Sequence, residues 1–103
     1  MTRRIIVAPR AEAQIRAIDA WWRTHREDSP GLFADELAEA FSTISVVPDA
    51  GSQYPHPTVK GIRRIHLRVT RHHVYYLAGT EALVVLAVWG SVKGSGPDLK
   101  DIV

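Results

Sequence analysis

The sequence predicts a two-layer α+β domain, a helix hairpin packed on a mainly antiparallel sheet, in the order β-α-α-β-β-β. Three observations lead there. Apolar residues recur at helical spacing over two consecutive stretches, 11–22 and 33–44. From Ile62 onward they alternate with polar residues instead. Each helix then has an apolar stripe and the sheet has an apolar face, and one packed interface buries both.

The elements follow in order. Residues 3–8, Arg-Arg-Ile-Ile-Val-Ala, read as a short strand closed by Pro9. Proline lacks an N–H and its φ suits a first helical turn, so a helix can start there. Ala11, Ile15, Ile18 and Trp22 share one face of it, and it should end between Thr24 and Arg26. Residues 27–31 break the pattern. Ser29 before Pro30 predicts an N-cap for a second helix carrying Phe33, Leu37, Phe41 and Ile44 inward. Asp35, Glu36 and Glu39 then belong to a solvated face. Pro48 and Asp49-Ala50-Gly51 end the helix, and residues 49–61 form a loop ordered by Tyr54.

Three strands complete the sheet. In the first, Ile65, Leu67 and Val69 point one way and Arg64, His66 and Arg68 the other. A turn at Thr70-Arg71-His72 leads to a strand from His73 to Leu77, with Val74 and Tyr76 opposite His73 and Tyr75. Ala82 to Trp89 is apolar on both faces, which predicts a central or fully covered strand. The domain therefore spans residues 1–90. Gly90 to Pro97 holds three glycines and a proline, so residues 91–103 read as a mobile or extended tail.

Composition excludes several classes. A chain of 103 residues is one domain. With no cysteine there is no disulfide scaffold, thiolate metal site or cysteine nucleophile. The longest apolar run is eight residues, far short of the roughly 20 of a membrane span, so a cytoplasmic protein is expected. His66, His72 and His73 lack carboxylate or cysteine companions at ligand spacing, so neither metal nor cofactor is expected. Ser91 and Ser95 sit in glycine-rich sequence that matches neither a nucleophile elbow nor a phosphate loop.

The net charge is only +2, but ten of the 13 cationic residues are arginines, and Arg63, Arg64, Arg68 and Arg71 fall within nine residues. Guanidinium groups make two-pronged contacts with phosphate or carboxylate, which suits a nucleic acid or an acidic protein. An ordinary polar sheet face fits the same residues equally well. Trp21 lies about 100° from the apolar stripe on its helix, so it is either a half-exposed partner anchor or part of the core rim.

The stretch Gly61-Ile62-Arg63-Arg64-Ile65-His66-Leu67, then Arg71 to Tyr76, then Leu83 to Gly90, resembles the ParE branch of the RelE/ParE toxin superfamily. So do Pro48-Asp49-Ala50-Gly51 and the preceding Ala34 to Phe41 with Ile44. The resemblance implies a bacterial type II toxin that inhibits DNA gyrase by binding and is neutralised by a cognate antitoxin in a hetero-oligomer. Target contacts are then expected at Arg63, Arg64, Arg68, Arg71 and Lys93, and antitoxin contacts at Ile18, Trp21 and Trp22. The alternative is a RelE-like ribosome-dependent mRNA endoribonuclease using Arg64, His66, Arg68 and His73. Such nucleases usually draw a tyrosine or histidine from the C-terminal segment, whereas the sequence after Trp89 offers only Lys93 and Lys100 as charged donors. A non-toxic interaction module on the same fold is the third reading.

Overall fold

The computed structural model describes residues 2–91, Pro97 and Leu99. Strand β1 (Arg4–Val7) leads into helix α1 (Pro9–His25), with Pro9 at its first turn as expected. Helix α2 (Leu32–Val46) follows, and its N-cap is Gly31 rather than Ser29. Ser29 instead takes part in the connecting turn: its amide donates to Arg26 and its carbonyl accepts from Leu32. Pro30 and Gly31 thus complete the turn before the helix begins. Its backbone is satisfied locally, so the serine side chain is not needed as a cap.

A single 3₁₀ turn at Pro48–Ala50 leads to a two-residue strand, β2 (Ser52–Gln53), which falls inside the stretch read as a loop. A pairing that short leaves no alternation to detect in sequence. Strands β3 (Ile62–Leu67), β4 (His72–Ala78) and β5 (Ala82–Gly90) form an antiparallel meander. β1 pairs parallel to β5, giving the spatial order β1-β5-β4-β3-β2. β5 is therefore flanked by β1 and β4, as its two-faced apolar sequence requires.

The two helices cover one face. Ala11, Ile15, Ile18 and Trp22 from α1 and Phe33, Leu37, Ala40, Phe41 and Ile44 from α2 meet Ile65, Leu67, Val74, Tyr76, Leu83, Val85 and Val88. Tyr76 is buried there with its hydroxyl paired on both sides. It donates to the Pro48 carbonyl at 2.6 Å and accepts from the Gly51 amide at 2.9 Å. Burial pushes its pKa up. Gly51 sits so close to β3 that a Cβ there would lie 2.7 Å from both the Arg64 carbonyl oxygen and the Tyr76 hydroxyl.

The opposite sheet face carries a second, smaller apolar cluster: Ile62, Tyr75, Leu86, Ala87 and Leu99, bordered by Tyr54, Val59, Leu77, Val84 and Trp89. A register shift between Tyr75 and Tyr76 leaves Leu86 as an extra residue of β5 and turns the strand's later residues over. Of the stretch read as a tail, Pro97 and Leu99 are buried, and residues 92–96, 98 and 100–103 lie outside the described residues.

Candidate partner-binding groove and basic sheet face

Glu36 was expected on a solvated helix face, and the structure gives it a fixed role instead. Its carboxylate reaches from α2 to the β3–β4 turn. There it accepts the Val69 amide at 2.9 Å, the Thr70 amide at 2.9 Å and the Thr70 hydroxyl at 2.6 Å. Burial alone pushes this carboxyl up, but the Thr70 hydroxyl and the two amides outweigh it and hold it below the usual range. The turn so anchored sets Arg71 in the left-handed region (φ 64°), where the Arg71 amide bonds Leu67 and its carbonyl accepts from Ser91. Sequence spacing cannot show this, because Glu36 and Thr70 are brought together only by packing α2 on the sheet.

That turn forms one wall of a groove of about 570 Å³. Ala17, Ile18, Trp21 and Trp22 of α1 supply the apolar surface; Arg26, Thr70, Arg71, His72 and Gly90 supply the rest. Trp21 is 45% exposed, stacked on His25 with ring centroids 4.6 Å apart. The Arg26 guanidinium lies 5.4 Å from the Trp21 ring and 5.6 Å from the Trp22 ring. No carboxylate lines the groove among the described residues, so its rim is cationic. Ile18, Trp21 and Trp22 thus converge here, and Arg71 joins them rather than the other arginines. Arg71 carried no sequence signal for this role, because the left-handed turn decides where its side chain goes.

The remaining basic residues divide. Arg63 is tied down on the helix side of β3, donating to the Gly51 carbonyl at 2.7 Å with Asp49 Oδ1 at 3.6 Å. Arg64 lies on the open face, its guanidinium 5.4 Å from the Tyr54 ring, which packs edge-on against Tyr75. His66 and His73 are direct cross-strand neighbours, ring centroids 4.7 Å apart, and His73 also pairs with Trp89 across to β5. His66 Nε2 lies 3.2 Å from Ser91 Oγ. Burial, with Arg64 and His66 nearby, lowers the His73 pKa to about 4, so its ring is neutral at pH 7. Arg68 stands exposed beyond the end of β3, and Val69, expected inward, is 65% exposed because the strand ends at Leu67. Lys93 lies outside the described residues. No cluster of three or more metal-ligating side chains occurs among the described residues, and none of their helices is long and apolar enough to cross a membrane.

The domain is thus an α+β fold with an aromatic, cationic groove at one end and a basic, aromatic sheet face. Comparison with known proteins places it more closely. The family of the ParE toxin of type II toxin-antitoxin system, parDE, matches residues 5–92, and the chain belongs to that family. It is thus a type II toxin, a class that has an antitoxin partner. In fold it is similar to a solved structure described as the chromosomal ParDE TA system from P. aeruginosa. The TM-score is 0.67 at 17% identity, over 86% of this chain and 96% of that one. No curated protein matches the sequence.

Proposed function

We propose that this toxin acts in the cytoplasm by binding and inhibiting DNA gyrase, and that a cognate antitoxin neutralises it by filling the groove at Trp21. The family match over residues 5–92 carries the first half, since gyrase inhibition is the usual ParE role. The groove supports the second. Its apolar walls suit side chains from a segment that folds on binding, and its Arg26 and Arg71 rim suits that segment's acidic residues. Arg64 and Arg68 are the accessible cations for the target, whereas Arg63 is engaged with Gly51 and Asp49.

The deciding experiment is gyrase supercoiling of relaxed plasmid with ATP, with and without antitoxin. Loss of supercoiling or trapped cleaved DNA, reversed by antitoxin, is the expected result. Unimpaired gyrase at large toxin excess would refute it. One observation favours a second reading, the ribosome-dependent endoribonuclease: Arg64, His66 and His73 gather on one sheet face, the two imidazole rings 4.7 Å apart, where a guanidinium could hold a phosphate beside them. Messenger RNA cut on translating ribosomes, with gyrase unaffected, would select it.

A further inference from the structure

A two-layer domain leaves one sheet face without a helical cover, and here that face is not polar. Ile62, Tyr75 and Ala87 are almost fully buried on it, and Leu86 nearly so. Part of the cover is the chain's own Leu99, 5% exposed, in the same cluster. The loop after β2 supplies more, through Tyr54 and Val59.

The same loop holds Leu99 by its backbone. His56 Nδ1 accepts the Val59 amide at 2.9 Å and the Thr58 amide at 3.2 Å. That assigns the proton to Nε2, which donates to the Leu99 carbonyl at 3.2 Å. His56 is therefore a clasp with one end in the loop and the other on the C-terminal segment. Tyr75, in the same cluster as Leu99, is also the ring against which Tyr54 packs under the Arg64 guanidinium, and its ring centroid lies 6.1 Å from that of His73. The covered apolar patch and the basic face are one continuous surface.

We propose that Leu99 is an intramolecular plug: it occupies an apolar recess of the target-binding face, and the toxin's target engages that face with Leu99 displaced. The proposal rests on the reading that the Arg64 face meets the target. An opened face presents Tyr75, Trp89 and Leu86 beside Arg64, the aromatic and arginine mixture that anchors tight interfaces. One buried leucine and one hydrogen bond, less the entropy of holding Leu99 in place, favour the closed form by about tenfold. The target's apparent affinity is reduced by the same factor, because only the open fraction binds.

Four full-length proteins test this: wild type, Leu99→Asp, His56→Ala and Leu99→Met. Leu99→Asp expels the plug by charge, His56→Ala removes its clasp on the Leu99 carbonyl together with the acceptor of the Thr58 and Val59 amides, and Leu99→Met keeps it seated. Binding of the apolar dye anilinonaphthalene sulfonate reports the opened recess, and thermal unfolding confirms that each variant is folded. Potency is read twice, as the toxin concentration that halves gyrase supercoiling and as the induction level that arrests growth. Leu99→Asp and His56→Ala should bind the dye and act at about tenfold lower dose, a gain of about 1.4 kcal/mol, with Leu99→Met like wild type. Should Leu99→Asp prove unfolded, His56→Ala decides. Equal or lower potency of the opened variants in both readouts, shared inactivity included, overturns the plug. A shift in growth arrest with gyrase untouched overturns the gyrase reading and leaves the plug standing.

Discussion

Replacing Glu36 with alanine removes the acceptor for three donors at once, the Val69 and Thr70 amides and the Thr70 hydroxyl. A hydrogen bond to a charged acceptor contributes about 1.5–3 kcal/mol when sheltered. Glu36 is only partly buried, so water takes over some of the freed donors, and we expect a total loss of about 2–3 kcal/mol. For a domain of about 100 residues that lowers Tm by roughly 8–20 °C. The pH dependence carries a second signature. Because the folded pKa is lowered, the contribution is fully present above the unfolded value near 4.3 and is lost as pH falls through the folded value. Urea denaturation followed by circular dichroism at pH 7, 5 and 3.5 measures both. Glu36→Ala should cost most at pH 7 and less as pH falls below the unfolded value. A loss below about 0.5 kcal/mol at pH 7, or one independent of pH, would refute the anchoring role argued from these three bonds.

Three further outcomes are expected. Gly51→Ala should destabilise the fold by about 1–3 kcal/mol, read by thermal unfolding, because its Cβ would press on the Arg64 carbonyl and the Tyr76 hydroxyl at 2.7 Å; an unchanged Tm would mean that β2 shifts freely. Trp21→Ala should weaken antitoxin binding at least tenfold by calorimetry while moving Tm by only a few degrees, since the ring is 45% exposed. His73, whose folded pKa is lowered to about 4, contributes stability present above its unfolded value near 6.5 and lost as pH falls through 4. NMR titration should find its ring neutral at pH 5.5, and His73→Gln should flatten the stability curve between those limits.

Much of the architecture follows from local pattern. The stripe Ala11, Ile15, Ile18, Trp22 and the alternation around Ile65 and Leu67 each place one face inward whatever the partner, because a buried face must be apolar. The double-sided run from Ala82 likewise announced an interior strand, and β5 lies between β1 and β4. Such periodicities are properties of a few adjacent residues, so sequence carries them in full. It also marked Trp21 as off the stripe and Arg64 and His66 as one face of β3.

What the sequence could not carry are relations between distant residues. Nothing local says that Glu36 closes the β3–β4 turn 33 residues later, or that Arg71 leaves the other arginines to line the groove with Trp21. Nor does the glycine-rich stretch after Trp89 announce that Leu99 seats beside Tyr75, held by His56 across 43 residues. The sequence by itself determined which surfaces had to be buried, since transfer from water depends on side-chain chemistry alone. The tertiary structure decided which surfaces bury each other, because the geometry of a hydrogen bond or a filled recess exists only once helix, turn and strand are brought together.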